Sequence, residues 1–232
     1  MIDGMEIKYS TIDLKSLLGR PLNDIEEKYA PEIIYYKGPM EIPLPCARVS
    51  IIGSRNASKK GLLEAEEITK ILIKNRAIIV SGLAKGIDTI AHQTAMKYGG
   101  RTIAVIGTPL DKVYPKENLK LQEEIMKNHL VISQYRVGHK TTPKDFVLRN
   151  RTMALISDAS IIVEAGETSG SLYQGWETLR LGRPLFICKI VVNNPELEWP
   201  KKMIEYGAIE LDDPVDILED LPSNVKMPEL FQ

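Results

Sequence analysis

From about Arg48 onward the chain alternates short β-branched runs with longer amphipathic stretches. The runs Val49 to Ile52, Ala77 to Val80, Thr102 to Ile106, Leu130 to Ser133, Ser160 to Val163 and Pro184 to Ile187 are bounded by Gly, Pro, Ser or Asp. They are too short for helices and predict strands buried on both faces. Between the first two, Gly61 to Leu72 repeats apolar positions three and four apart with charges elsewhere, the pattern of a surface helix over a sheet. Similar patterns predict helices over Asp88 to Tyr98, Glu117 to Asn128, Lys144 to Ser157, Gly170 to Leu181, Pro200 to Tyr206 and Pro214 to Leu221. Repeated β-α units of this length predict an α/β fold: a mainly parallel, doubly wound sheet with helices on both faces.

The first 45 residues read differently. Tyr29 to Gly38 is a pre-proline turn feeding one extended segment, and a short helix is expected around Asp13 to Leu18. The division expected is an N-terminal extension (1–45) packing on the sheet domain (46–221), with a tail (222–232) that packs loosely or frays.

At 232 residues and 44% hydrophobic, the chain can bury a substantial core. Thirty Lys and Arg against thirty-one Asp and Glu leave a formal net charge of −1, which excludes a polybasic tail or a globally basic module, so any anion site must be local. Cys46 and Cys188 are far apart with no neighbouring Cys/His cluster, so both are expected as reduced, partly buried thiols, with neither a metal site nor a disulfide framework. No apolar run approaches the roughly 18 residues of a membrane span. The start, Met1-Ile2-Asp3-Gly4, lacks a signal-peptide pattern, and a cytoplasmic protein is expected.

In open α/β sheets ligands bind beyond the carboxyl ends of the strands, where loops enter helix N-termini. Three loops there are rich in Gly and donors. Gly53-Ser54-Arg55-Asn56-Ala57-Ser58 follows the first strand, with Arg55 as a forked donor for phosphate. Ser81-Gly82-Leu83-Ala84-Lys85-Gly86-Ile87-Asp88 follows the second, with a lysine between glycines and Asp88 placed to cap the next helix. Gly166-Glu167-Thr168-Ser169-Gly170-Ser171 precedes a later helix. Each alone is an ordinary capping turn; together on one sheet edge they predict an anion cradle. None is a Walker loop or a G-x-G-x-x-G fingerprint, which disfavours ATP hydrolysis and ordinary dehydrogenase chemistry.

The segment Lys144-Asp145-Phe146-Val147-Leu148-Arg149-Asn150-Arg151 places three cations, an amide and an aromatic at the start of a helix. Cations there oppose the macrodipole unless an anion is bound. On this reading Lys144, Arg149 and Arg151 meet phosphates and Phe146 offers a stacking face. The plainer reading makes Phe146 core and the arginines partners of carbonyls or carboxylates.

With these residues in hand the chain resembles the DNA-processing protein A family (DprA, also called Smf). The resemblance rests on Val49 to Arg55, on Ser81 to Asp88 with Ala91-His92, and on Ile106-Gly107 with Tyr114-Pro115. Phe146 with Arg149-Asn150-Arg151, Glu164-Ala165, Ser169 to Leu172 and the lead Pro31 to Gly38 also match, so it spans about Pro31 to Leu221. It implies an extended Rossmann-like domain that binds single-stranded DNA, forms a homodimer and helps load a RecA-type recombinase in natural transformation or recombination. No catalytic residue and no cofactor are implied. Carried over by motif, Gly53, Ser54 and Arg55 would hold phosphates and Lys144 and Phe146 would line the strand path. Arg149 and Arg151 would flank it, and Gly82, Gly86 and Gly170 would admit the backbone. Ser81, Lys85, Asn150, Ser169 and Ser171 complete the expected binding set, and His92 is expected as a polar link holding its loop.

The departures are Gln134 where relatives carry a glutamate, and Tyr173-Gln174-Gly175-Trp176 where they continue with threonine and alanine; Trp176 is expected to pack on the sheet. The length suits a core-only member without accessory domains. Two alternatives stand beside the DNA reading. A sensor of a free nucleotide or nucleotide-derived signal would use the same cradle. A phosphoribohydrolase of the lonely-guy type would need a catalytic glutamate, but Glu167 and Glu177 are off register and the hydrolytic transition state would lack its main electrostatic support.

Overall fold

The structure, a computed structural model, describes residues 8–45 and 47–222. Its lead-in holds β1 (Ser10–Ile12), α1 (Leu14–Leu18), α2 (Asp24–Tyr29) and β2 (Ile34–Lys37). The alternating region then runs β3 (Arg48–Ile52), α3 (Lys59–Lys74), β4 (Ile78–Ser81), α4 (Ile87–Lys97) and β5 (Arg101–Ile106). A 3₁₀ turn at Lys116–Asn118 leads into α5 (Leu119–Asn128), followed by β6 (Leu130–Ser133), α6 (Pro143–Ile156), β7 (Ala159–Ile162) and α7 (Ser171–Arg180). β8 (Leu185–Cys188), α8 (Lys189–Val192), α9 (Trp199–Glu205), β9 (Ile209–Leu211) and a 3₁₀ turn at Pro214–Asp220 close it.

The nine strands form one sheet in the order β1-β2-β6-β5-β4-β3-β7-β8-β9. From β6 to β9 every pairing is parallel, while β2 joins β6 and β1 joins β2 antiparallel. The six expected strands are present, mostly shifted by one residue. The extended segment expected before Gly38 is β2. β1 and β9 carry too few apolar residues to show an alternation. The expected helix at Pro214 to Leu221 is a 3₁₀ turn instead; only Ile217 is buried there, too little apolar stripe to hold an α-helix.

Apolar side chains alternate along the strands, as a sheet covered on both faces requires. Val49, Ile51 and Ile79 meet Ala65, Ile68 and Leu72 of α3 and Ala91 and Ala95 of α4. Ile52, Ile78, Val80, Ile103 and Val105 face the other way, onto Met153, Leu155 and Ile156 of α6. Trp176 packs on that second face, as expected, with its ring edge-on to Tyr206. Cys188 is fully buried rather than partly, and burial pushes its thiol pKa up; Cys46, the Met1 to Gly4 start and the tail from residue 223 lie outside the described residues. Among the described residues no helix is long and apolar enough to cross a membrane.

The lead-in is fastened by charge. Glu26, 2% exposed, closes a capping box at the N-terminus of α2 and bridges Arg20 at 2.6 Å and Arg183 at 2.5 Å. The hydrogen bond from Arg20 does most to hold its carboxyl down to about 2. Arg183 in turn donates to the carbonyls of Ala154 and Ser157 at the end of α6. One buried carboxylate thus ties the lead-in to the helix that carries the candidate site.

The chain leaves β3 for β4, β5 and β6 on one side, then returns to place β7 on the other. The carboxyl ends of β3 and β7 therefore flank the switch point of the sheet, where such folds open a crevice.

His92 lies inside α4, fully buried, with Nδ1 2.7 Å from Thr102 Oγ1; Thr102 donates onward to Ile79 O at 3.0 Å. It links α4 to β5, and the backbone of Ser81, where the loop before α4 begins, also acts on its ring. Desolvation, aided by the nearby His129, lowers its pKa to about 3. The unfolded chain takes that proton near pH 6.5. Stability present above pH 6.5 is therefore lost as the pH falls toward 3, by at most about 1.4 kcal/mol per pH unit from this group. Denaturation midpoints between pH 6.5 and 5, above the carboxylate range, should fall accordingly, and His92→Gln should flatten that slope; an unchanged slope would place the acid sensitivity elsewhere.

Candidate functional site

A cleft of about 670 Å³ opens at the switch point. Its walls are Gly53 to Asn56 after β3, Ala84 and Asp88 around the start of α4, Tyr114 after β5, Phe146, Val147, Arg149, Asn150 and Met153 on α6, and Gly166 with Thr168 to Ser171 at the entry to α7. All three Gly-rich loops thus reach one cavity.

The loops are built against each other by backbone contacts. Ser54 N donates to Glu164 O at 2.6 Å, and Ser54 O accepts from Ile87 N at 3.2 Å. Gly86 sits at φ +75°, and a Cβ there would collide with the Ser54 carbonyl. At Gly53 a Cβ would come within 2.7 Å of Glu164 O. These glycines serve close packing between loops. Gly166 and Gly170 differ: a Cβ at either would meet no protein atom within 4 Å, so their missing side chains leave room in the cleft itself.

Two adjacent residues of α6 hold the frame. Arg149, 5% exposed, donates through Nη1 to Gly82 O and to Val105 O (2.7 Å), at the ends of β4 and β5. Its Nε donates to Asn150 Oδ1 at 2.9 Å, and Asn150 Nδ2 donates to Gly170 O at 2.8 Å. Beside Arg149 the Asp88 carboxylate accepts from Gly82 N (3.1 Å) and Ala84 N (3.3 Å). Burial raises the Asp88 pKa while the Arg149 charge opposes that shift; burial likewise lowers the Arg149 pKa. Asp88 thus reaches back to the preceding loop, and the first residue ahead of α4 is Gly86 rather than an aspartate cap.

The expected binding set separates on this geometry. Gly53, Ser54, Arg55, Phe146, Arg149, Asn150, Ser169, Gly170 and Ser171 line the cleft. Ser81 is fully buried and donates to Ile51 O at 2.7 Å, so its hydroxyl serves the sheet. The Gly82 amide is taken by Asp88, and a Cβ there would meet Arg149. Lys85 is exposed and pairs with Glu117 at 2.6 Å, off the cleft wall. Arg149 is an internal strut, not an open phosphate contact. Arg151 points away, pairing with Glu177 at 3.3 Å and covering the Tyr29 ring at 4.7 Å.

Lys144 is exposed in the first turn of α6, flanked by the cleft residues Pro143 and Phe146. The other two cations fall in later turns. Asp145 supplies the negative charge that the helix start favours, accepting from Thr142 N at 2.7 Å and contacting His139 at 2.8 Å. The side chains of Arg55 and Lys144 make no hydrogen bond or ion pair among the described residues. Phe146 is half-buried against Gly107 and tilted against Tyr114. Sequence reasoning missed Tyr114, Asn56 and Thr168 as lining residues; Tyr114-Pro115 was visible as a motif without a role. Gln134 is structural, accepting from Thr152 and donating to the Tyr135 hydroxyl. Among the described residues no group of three or more His, Cys, Asp and Glu could hold a metal ion.

The model of the family DNA recombination-mediator protein A matches residues 16–222. The chain belongs to that family. The DNA processing protein DprA of Streptococcus pneumoniae is 44% identical over 164 residues, covering 70% of this chain and 57% of its own. Its crystal structure superposes with a TM-score of 0.77 at 33% identity over 93% of this chain and 75% of the solved one. DprA of Bacillus subtilis is 34% identical over 202 residues, 87% of this chain and 68% of its own. A solved DprA from Helicobacter pylori matches with a TM-score of 0.76 at 28% identity, over 91% of this chain and 94% of that one. The chain thus spans little more than half of the S. pneumoniae relative, and the family frame it carries is the Rossmann-like sheet with the cleft.

In this DprA-family chain, Arg149→Ala should act on stability. It removes three donors from buried acceptors and leaves the Asp88 carboxylate without its compensating charge, a loss of about 3–5 kcal/mol. Arg55→Ala should stay within about 0.5 kcal/mol of wild type. Chemical denaturation of the two variants checks the contrast; equal stabilities would overturn the strut assignment.

Proposed function

We propose that this protein binds single-stranded DNA, with the phosphate backbone crossing the cleft between Arg55 and Lys144 and a base against Phe146. The observation that carries this reading is the pairing of two unengaged cations with a half-buried aromatic around a cleft whose other charged groups are internally satisfied. An exposed cation with no protein partner is available to a phosphate at little desolvation cost. Room left at Gly166 and Gly170 suits close approach of a backbone. The H. pylori relative is described for its single-stranded DNA binding mode, which supports the same ligand here. Loading of a RecA-type recombinase, action as a homodimer and a cytoplasmic setting are part of the proposal, resting on the family resemblance.

The geometry favours binding over hydrolysis. Asp88 is the carboxylate among the described lining residues, and it is spent on backbone amides. Glu164 caps Ser58, Glu167 accepts from Glu198 N, and Glu177 pairs with Arg151 and Arg180.

Single-stranded, double-stranded and mononucleotide ligands compared by anisotropy across a salt series test the proposal. Single-strand affinity should fall linearly on log-log axes, with a slope of about −0.7 per phosphate contacted. Arg55→Ala and Lys144→Ala should each weaken binding and make that slope about 0.7 shallower. Phe146→Ala should weaken binding with the slope unchanged. Saturation by a mononucleotide with no oligonucleotide binding would replace the DNA reading with the sensor.

A further inference from the structure

Tyr114 stands on the cleft wall with its side chain 50% exposed, and its hydroxyl makes no hydrogen bond among the described residues. The loop that presents it is well fastened. Asn118 Nδ2 donates to Leu83 O and to Thr89 Oγ1, both at 2.9 Å. Gln122 Nε2 donates to Lys112 O at 3.1 Å, and Lys112 Nζ donates to His139 O at 2.9 Å. A rigid loop thus holds a large ring half in water.

The other exposed tyrosines lie off the cleft lining: Lys70 and Lys97 lie over Tyr98, Trp176 meets Tyr206 edge-on, Tyr9 meets Tyr35, and Tyr173 on α7 stands without a ring partner among the described residues. Among the described residues the ring against Tyr114 is Phe146, with centroids 5.0 Å apart and planes tilted by 52°. Phe146 is backed by Gly107, where a Cβ would come within 2.6 Å of the ring. The two rings form a bent surface, fixed from behind and bordering the cleft.

We infer that Tyr114 is a second base-stacking residue, forming with Phe146 an aromatic corner that holds one unpaired base of a bound strand. The inference rests on the single-stranded DNA reading and assigns it a residue that the binding set lacked. A base laid on one ring meets the other at an inclined angle, and both offset and edge contacts between π systems are favourable. Such stacking tolerates any base, because every base has a π face. In a duplex both faces of a base are covered by neighbours, so the corner selects for single strands.

The test is anisotropy with a labelled oligo-dT and with an abasic strand of equal length, at fixed low salt and across a salt series. Tyr114→Ala should bind oligo-dT on the order of tenfold more weakly with an unchanged salt slope. Tyr114→Phe should match wild type, and Tyr98→Ala should have no effect. On the abasic strand wild type and Tyr114→Ala should bind alike. If Tyr114→Ala loses its fold, Tyr114→Leu, which keeps apolar bulk beside Phe146, should show the same selective weakening. Wild type that binds neither strand would remove the DNA reading and this inference with it. Wild type that binds while Tyr114→Ala binds oligo-dT equally well, or loses affinity equally on the abasic strand, would overturn the stacking role and leave the DNA reading standing.

Discussion

The buried guanidinium of Arg149 is the interaction on which the cleft depends. A charge removed from water is tolerated only where its donors are met. Here they are met by carbonyls at the ends of two strands and by the side chain of the next residue, which continues to a third loop. Cutting that connection would free the loops after β4 and before α7 from α6 at once. Asp88 completes the arrangement by supplying opposite charge and by occupying the amides of its own loop, leaving the loop no conformational choice.

This arrangement divides the positive charge of the site by role. Arg149 is inside and immobile, and Arg151 is engaged with Glu177 and Tyr29 on the far side of α6. Arg55 and Lys144 are outside and unengaged. A frame locked by the first pair can present the second at fixed positions while their long side chains adjust to a flexible ligand. Near neutrality of the whole chain is consistent with this, since thirty-one acidic residues offset thirty basic ones while Arg55 and Lys144 act locally at the cleft.

Much of the fold was legible because strands buried on both faces must be short, β-branched and flanked by turn residues. Val49 to Ile52 and Leu130 to Ser133 announce themselves in that way. β1 and β9 do not: three residues cannot show an alternation, and they are strands because a neighbour offers them a ladder. At the site, composition located the three loops but could not sort their residues. Arg149 and Arg151 differ by two positions and look equivalent in sequence, yet the roughly 200° between them on a helix sends one into the protein and the other away from the cleft. Ser81 and Ser54 are likewise both serines next to glycines, and only the position of Ser81 at the last residue of a central strand buries it. Tyr114 escaped notice because its neighbour Phe146 comes from a separate part of the chain.

The outer strands of the sheet are both three residues long, with Ser10 and Thr11 at one end and Glu210 at the other. Inward of the first, β6 has every residue buried and would present an apolar ladder of unpaired amides and carbonyls if β2 were absent. Such an edge is a template for chain-to-chain pairing. The lead-in, clamped by Glu26, therefore works as a selvedge: it covers the apolar β6 edge with β2 and leaves outermost, among the described residues, only the three-residue β1 with its Ser10 and Thr11.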